Sequence, residues 1–332
     1  MASPLTLSRV WRILREVDLE AIRREAERHV HLMVIGETTA DADALALRLA
    51  EGQPDPAPWL TSLDAPLAAL DEGRSADPRR EALLDVPDII LVVAGGTRVA
   101  PALEPVRRRW IARKVPLVTV AVGTGERPGK VRTHGGTARV AVDRLDEEGV
   151  GHVIDAVFGV IDPERRLALA RQFPALRPRV IGALIDETAR TNAGYAFSTG
   201  IAEIIPLLDI PLNIGDILVL TKNQLMMSYR IALAAGKQGR PRELLGEIVG
   251  VIGGGLLFRQ VARQLIGLIP VIGIVPKVAV AYGGTWVIGR AVSYWATEGR
   301  KITGRRLKEL SREGLARGRG VARALKKRTP AA

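Results

Sequence analysis

The chain contains no cysteine among its 332 residues, and only 4% of its residues are aromatic. The lack of cysteine excludes a disulfide scaffold, a thiolate zinc site and a cysteine nucleophile. Aromatic side chains are too sparse for a surface on which bases stack, so we expect no sequence-specific nucleic-acid partner. Hydrophobic residues make up 47% of the chain and charged residues 25%, which excludes a mostly disordered protein.

Histidine is also rare, and the four histidines are His29, His31, His134 and His152. His29 and His31 alternate on one predicted strand, but no cluster of acidic residues accompanies them, so we predict no metal site. No Ser-His-Asp arrangement follows from these positions either. The sequence therefore offers no catalytic residue, and we expect a protein that is not an enzyme and has no cofactor.

Positive charge is concentrated at the carboxyl end of the chain. The formal net charge is +12, and residues 300–332 hold 12 Lys and Arg against two Glu. One interpretation of this basic tail is an amphipathic segment on the anionic cytoplasmic leaflet. The other is a solvated, partly disordered tail, which Gly314, Gly318 and Gly320 favour, and non-specific contact with nucleic acid is a remaining use. The basic residues expected at a membrane surface are Arg305, Arg306, Lys308, Arg312, Lys326 and Lys327.

The amino-terminal segment, residues 1–27, is predicted to be an amphipathic helix that begins near Pro4. Charged residues interrupt its apolar positions, so it lacks the uncharged core of a signal peptide and we expect the amino terminus to stay in the cytoplasm. The helix either binds a membrane surface or a partner, or packs on its own domain. Its apolar residues at helical spacing are Leu7, Val10, Trp11, Leu14 and Val17.

Strands and helices alternate over residues 28–162, which predicts a doubly wound α/β domain. The near-continuous apolar runs at 88–93 and 115–122 are typical of buried parallel strands. A charged linker is expected over residues 163–180.

The loop after the first predicted strand is where a phosphate-binding loop would stand. That loop needs Gly-x-x-x-x-Gly-Lys-Ser/Thr, but Asp41 replaces the second glycine, Ala42 the lysine and Asp43 the hydroxyl residue. Two carboxylates would repel the oxygens of a triphosphate, and the lysine charge is missing. We therefore predict no nucleotide hydrolysis here. The degenerate loop keeps Gly36, Thr38 and Thr39.

The order of elements over residues 28–162 resembles a bacterial G domain of the Era-like type without its catalytic parts. Ala121 to Glu126 stands where such a domain carries its guanine-recognition motif, and Val140 to Val150 resembles its last strand and following loop. Asp64-Ala65-Pro66 is aligned with its Asp-x-x-Gly motif. The resemblance implies a nucleotide-incompetent, GTPase-like domain, and the alternative is an unrelated small α/β domain.

Residues 181–299 are rich in Ile, Leu, Val, Ala and Gly, and they predict a hydrophobic, all-α helical domain. The uncharged runs 264–276 and 278–289 are each too short to span a bilayer. Pro270, Pro276 and Gly283-Gly284 favour a broken hairpin over a single straight helix.

The block over residues 187–236 resembles the hydrophobic domain of unknown function that follows G domains in bacterial GTPase-associated proteins of the YcjF kind. The residues that carry this likeness are Glu187 to Tyr195, Glu203 to Pro206, Asp209 to Asp216 and Thr221 to Met227. The resemblance implies association with the cytoplasmic membrane and a GTPase partner, and it assigns no chemistry.

Asp216, Asn223 and Arg230 recur every seven residues along a helix predicted over residues 214–235. This polar stripe in an apolar helix has two interpretations. It forms a polar pathway or a register-fixing contact between helices or subunits, or it makes hydrogen bonds that are satisfied within the core.

Together these patterns predict a non-catalytic, membrane-associated protein that pairs a nucleotide-incompetent GTPase-like module with a hydrophobic helical domain. We expect it at the cytoplasmic face of the membrane, inserted or peripheral, as a partner or regulator of a GTPase. The alternative is a soluble GTPase-like regulator that retains nucleotide binding and forms homo-oligomers through its helical domain.

Overall fold

The computed structural model describes residues 17–51, 60–64, 86–96, 99–202, 213–251, 274–300 and 302–328. The chain divides into two compact units. One spans Arg24–Val180, and the other contains the chain up to Arg23 and from Ile181 onward. The first unit is α/β and the second is helical, so the α/β and all-α fold classes are confirmed.

Among its described residues, the α/β unit contains six strands and four helices, after a helix at its amino-terminal boundary. The elements are α1 (Leu19–Glu27), β1 (Leu32–Gly36), α2 (Thr39–Ala50), β2 (Leu60–Asp64), β3 (Ile89–Gly95), α3 (Glu104–Ala112), β4 (Leu117–Val122), β5 (Arg132–His134), β6 (Thr137–Val142), α4 (Glu147–Val160) and α5 (Arg166–Gln172).

The six strands form one sheet in the order β2-β1-β3-β4-β6-β5. The pairs from β2 through to β6 are parallel, while the short edge strand β5 pairs antiparallel with β6. The strand order reverses between β1 and β3. In doubly wound sheets, ligands bind at the carboxyl ends of the strands beside such a reversal.

Both faces of the sheet are buried, which explains why its central strands are continuous apolar runs. Val34 and Leu91 belong to a hydrophobic core on one face, together with residues of α2 and α4. Ile35 and Ile90 belong to the core on the other face, where Trp110 of α3 packs. The alternation follows from the two-residue period of side chains along a strand.

The expected linker over residues 163–180 is wrong as a description of this segment. It consists of a 3-10 turn at Pro163–Arg165, then α5, then a second 3-10 turn at Pro174–Leu176. Phe173 and Leu176 are fully buried in the core of the α/β unit. Its large apolar residues complete the core, and its arginines are half-buried: Arg177, for example, donates to the carbonyls of Ala170 and Arg171. This segment is therefore part of the domain.

The helical unit contains α6 (Arg177–Ala202), which enters it from the α/β unit, α7 (Asn213–Ala234), α8 (Pro241–Val251), α9 (Ile274–Glu298) and α10 (Gly304–Arg328). As the sequence predicts, α7 closes at Gly236. This glycine has a φ of 86°, and the amide of Lys237 donates to the carbonyl of Ala232 across the helix end.

The broken hairpin expected over residues 264–289 is described only from Ile274 onward, because residues 264–273 lie outside the described residues. From Ile274 onward α9 is one continuous helix that passes through Gly283-Gly284. Pro276 is accommodated because it lies in the first turn, where no intrahelical amide donor is needed.

The segment from Gly304 to Arg328 forms a 25-residue helix rather than a disordered tail. Gly314 and Gly318, which favoured disorder in the sequence, let α10 approach α9 closely. A Cβ on Gly318 would lie 2.5 Å from the carbonyl oxygen of Ala279. Gly320 has open space around it.

Only the carboxyl half of the helix predicted over residues 4–27 can be compared with the structure, because residues 1–16 lie outside the described residues. In that half, the helix is shorter than predicted. Helix α1 begins only at Leu19, and the amide of Ala21 donates to the Asp18 carboxylate at 2.8 Å. Asp18 thus supplies an N-cap, which requires a non-helical backbone before the first turn. Across the described residues, no helix has both the length and the apolar character needed to cross a membrane.

Candidate functional site

The degenerate phosphate-loop position lies at the carboxyl ends of β1 and β3, where the strand order reverses. Gly36 ends β1, and a Cβ there would lie 2.6 Å from the Thr38 carbonyl oxygen and 2.7 Å from the Ala42 nitrogen. Only glycine allows the chain to turn this tightly into α2.

The first turn of α2 is closed by its own residues. The amide of Asp41 donates to the Thr38 hydroxyl at 3.3 Å, and the Asp41 carboxylate accepts from the Thr38 amide at 3.3 Å. This reciprocal capping box satisfies donors that a helix amino terminus would otherwise offer to an anion. Thr39 is the first residue of α2, and its side chain lies outside the described residues.

A carboxylate of the chain bridges the ends of β1 and β3. The amide of Gly95, the last residue of β3, donates to the Glu37 carboxylate at 3.2 Å. A phosphate bound at this crevice would use such a backbone donor. The chain's own negative charge therefore occupies the position that an external anion would need. Sequence analysis did not single out Glu37, although it stands directly after Gly36.

The second predicted carboxylate, Asp43, is tied to the neighbouring strand. It accepts a short hydrogen bond from the Ser62 hydroxyl of β2. Asp41 and Asp43 thus both have structural roles: one closes the helix and the other joins α2 to the sheet. Only the backbone of Asp64, at the end of β2, is described, so the predicted alignment with Asp-x-x-Gly is not tested by its side chain.

The loop after β4 is the segment that the sequence comparison with G domains assigned to the guanine-recognition motif. Glu126 in this loop forms an ion pair with Arg139 of β6, with 2.9 Å between the nearest nitrogen and oxygen. The amide of Glu126 donates to the Thr124 hydroxyl at 3.2 Å. The acidic side chain is therefore held against the sheet by Arg139.

A cleft of about 950 Å³ lies beside α4. Its floor is apolar, with Val150 and Ile154, and Arg179 on its rim forms an ion pair with Asp155. His152 lies 4.0 Å from Glu148. Within the described part of the chain, no three His, Asp or Glu side chains are grouped so that they could hold a metal ion.

A buried hydrogen-bond network joins three helices of the helical unit. The Asn223 amide of α7 donates to the Asn192 side-chain oxygen of α6 at 2.8 Å, and the Asn192 amide donates to the Thr285 hydroxyl of α9 at 2.9 Å. Gln224 donates to the same hydroxyl at 3.0 Å. Thr285 in turn donates to the carbonyl of Ala281 at 2.8 Å.

This network changes the meaning of the predicted polar stripe. Asn223 donates across to Asn192 of α6, and its neighbour Gln224 donates to Thr285 of α9. Arg230 is half-buried, and the side chain of Asp216 lies outside the described residues. Sequence analysis missed Asn192 and Thr285, and the only signal for them was their polarity within apolar helices.

The predicted basic surface residues lie on α10. Their side chains are exposed at Arg305, Arg306, Lys308, Arg312, Lys326 and Lys327. Two arginines of α10 form ion pairs within the helix: Arg306 contacts Glu309 and Arg317 contacts Glu313, each at 3.0 Å. The opposite face of α10 is buried, with Leu307, Leu310 and Leu315 among its residues.

No family model, curated protein or solved structure matches the chain.

Proposed function

We propose that this chain is a non-catalytic, membrane-associated protein that acts as a partner or regulator of a GTPase. Its α/β unit is a GTPase-like module that does not bind nucleotide. Its helical unit holds the protein at the cytoplasmic face of the membrane.

The observation that carries the proposal is the hydrogen bond from the Gly95 amide to the Glu37 carboxylate. The reversal point of a doubly wound sheet is its usual ligand site, and here an internal anion occupies its backbone donor. The capping box of Thr38 and Asp41 engages the amino terminus of α2 as well. A nucleotide phosphate would meet negative charge and engaged donors at the same position.

The GTPase-like character of the α/β unit is supported by the place of its glycine turn. Gly36 ends β1 next to the strand reversal and leads directly into α2, which is where a phosphate-binding loop would stand. The GTPase partner rests on the resemblance of residues 187–236 to a domain that follows G domains.

Association with a membrane is supported by the exposed basic residues of α10. Lys308 and Arg312 are exposed on a helix whose other face is buried in the helical unit. Basic residues near an anionic leaflet attract a protein by about 1 kcal/mol each.

Calorimetric titration of the full chain with GTP and with GDP, in the presence of Mg²⁺, tests the non-catalytic assignment. We expect no saturable heat, because Glu37 and the missing lysine both disfavour the phosphates. Saturable binding would overturn this part of the proposal and favour the soluble regulator with residual nucleotide binding.

Flotation of the full chain with cell membranes, followed by a carbonate wash, tests the location. We expect the protein to float with the membranes before the wash. Recovery entirely in the soluble fraction would contradict membrane association. Co-purification of a GTPase from the floated fraction, lost when residues 187–236 are exchanged for an unrelated helical segment, would test the partner.

A further inference from the structure

Most of the apolar face of α10 is packed inside the helical unit, and only Val321 and Leu325 among its larger apolar residues are half-buried. Leu307, Leu310 and Leu315 are each no more than 3% exposed. Gly314 and Gly318 bring the helix backbone against α9, where a Cβ on Gly314 would lie 3.0 Å from the carbonyl oxygen of Gly283. An amphipathic helix that inserts into a bilayer needs a free apolar face. In this structure the largest apolar side chains of α10 are already packed, so we expect its contact with a membrane to come from its charged face.

The exposed face of α10 carries a continuous line of positive charge. The basic stripe is defined here as Arg305, Lys308, Arg312, Arg319, Arg323 and Lys326, all of which are exposed. Their three-, four- and seven-residue spacings place them on one side of the helix. At 1.5 Å per residue, the stripe is about 31 Å long.

The acidic residues of α10 do not neutralise this stripe. Glu309 contacts Arg306 and Glu313 contacts Arg317, and both arginines lie beside the stripe. Within the part of the chain that the structure describes, Arg312 and Arg323 form no ion pair. Arg312 and Arg323 therefore present exposed charges, without an ion pair among the described residues, on one side of the helix.

We propose that the basic stripe is an electrostatic docking surface for a bilayer that contains anionic lipids. This inference rests on the proposed function. It specifies that the protein binds the lipid surface reversibly through its positive charges, without insertion of α10. A straight line of cations matches a flat anionic surface along its whole length. Residues 304–328 contain no aromatic side chain that would stack on nucleic-acid bases, so the lipid surface is the better match.

Two vesicle types test the proposal with the full-length protein. One contains phosphatidylcholine alone, and the other contains phosphatidylcholine mixed with phosphatidylglycerol. We expect binding to the mixed vesicles and little binding to the neutral ones, because each basic residue near an anionic surface strengthens binding about fivefold. Added salt should release the protein, because exposed charges are screened.

A pair of double variants separates the stripe from net charge. Arg312→Gln with Arg323→Gln removes two stripe charges and should weaken binding to the mixed vesicles roughly 30-fold. The matched variant, Arg306→Gln with Arg317→Gln, removes two charges that are already paired with glutamate and should weaken it less than about threefold. Circular dichroism spectra should be the same for both variants and the original chain.

The outcomes discriminate among the proposals. Equal losses of vesicle binding in the two double variants would show that net charge, and not the basic stripe, causes the binding. Salt-resistant binding to neutral vesicles would also overturn the stripe, while membrane association itself would stand. Tighter binding to duplex DNA than to the mixed vesicles, with the same dependence on Arg312 and Arg323, would replace lipid by nucleic acid as the partner. Failure to bind any vesicle would overturn the membrane part of the proposed function as well.

Discussion

Gly283 and Gly314 lie backbone against backbone where α9 and α10 meet. A Cβ on Gly283 would lie 3.0 Å from both the carbonyl carbon and the carbonyl oxygen of Gly314. Small residues at a helix interface let two backbones approach closely, and this contact gains dispersion energy along both helices. Gly314 and Gly318 of α10 thus serve packing, and they place the basic stripe on the side of the helix away from α9.

Replacing Gly318 by alanine should destabilise the helical unit. The new Cβ would lie 2.5 Å from the Ala279 carbonyl oxygen, so the two helices must separate. We expect the free energy of unfolding to fall by about 1 to 3 kcal/mol in urea denaturation. Gly320→Ala is the matched control. It has open space and should raise stability by up to about 1 kcal/mol through helix propensity. If both variants changed stability in the same direction, close packing at Gly318 would not hold.

The buried amide of Asn192 should be important for the stability of the helical unit. Asn192 is fully buried and bonds both Asn223 and Thr285, so Asn192→Ala leaves buried polar groups without their partner. The expected loss is about 2 to 3 kcal/mol by chemical denaturation. Thr191→Ala next to it should change stability by less than about 0.5 kcal/mol, because that exposed hydroxyl bonds only the Glu187 carbonyl of its own helix. A neutral effect of Asn192→Ala would show that the network contributes no net stability.

Glu37→Ala should expose the Gly95 amide. We expect faster hydrogen exchange at Gly95 and a loss of about 1 kcal/mol in stability, because the bond is made to a charged acceptor at a solvent-accessible site. Glu37→Gln keeps a carbonyl oxygen at the same position and should retain most of the protection. Unchanged exchange at Gly95 in the alanine variant would contradict occupation of the crevice by Glu37.

Tyr282 should make the helical unit sensitive to alkaline pH. Burial raises the pKa of Tyr282 above its ordinary value, and the neighbouring Asp186 carboxylate raises it further. The Tyr282 hydroxyl donates a hydrogen bond to this carboxylate at 3.1 Å. The folded state thus favours the neutral phenol. This contribution to stability is fully present below the pKa of an unfolded tyrosine, about 10, and is lost as the pH rises through the higher folded pKa.

Phenolate absorbance measured during an alkaline titration checks this expectation. The original chain should show tyrosine ionisation that extends to high pH, and in Tyr282→Phe this late absorbance change should be smaller by one tyrosine. The variant should also lose less stability than the original chain as the pH increases above about 10. A late absorbance change of unchanged size in Tyr282→Phe would assign it to another tyrosine.

Much of the α/β unit could be predicted because its strands are buried on both faces. A strand such as Ile89–Gly95 must be apolar along its whole length, and that run is visible without any knowledge of its neighbours. The edge strand β5 was not predicted, because Arg132, Thr133 and His134 are all exposed and carry no apolar pattern. Its position depends on the antiparallel register with β6, which only the folded chain supplies.

The segment over residues 163–180 shows a second kind of failure. Its charged residues are frequent enough to indicate a linker, yet Phe173 and Leu176 are buried in the core. A few large apolar side chains decide whether a short segment packs, because each buries a large apolar area. The average composition of the segment does not reveal these few buried side chains.

The sequence by itself determined the buried apolar strands of the first unit, the loss of the phosphate-loop residues and the concentration of charge in the last 33 residues. Those properties are local, since each depends on residues close together in the chain. Only the tertiary structure decided that Glu37 meets Gly95, 58 residues away, and that Asn192 meets Thr285, 93 residues away. The close contact of Gly314 and Gly318 with α9 was likewise decided only by the tertiary structure. A hydrogen bond or a close backbone contact depends on the distance between two groups in space, and that distance is set by the packing of whole helices and strands.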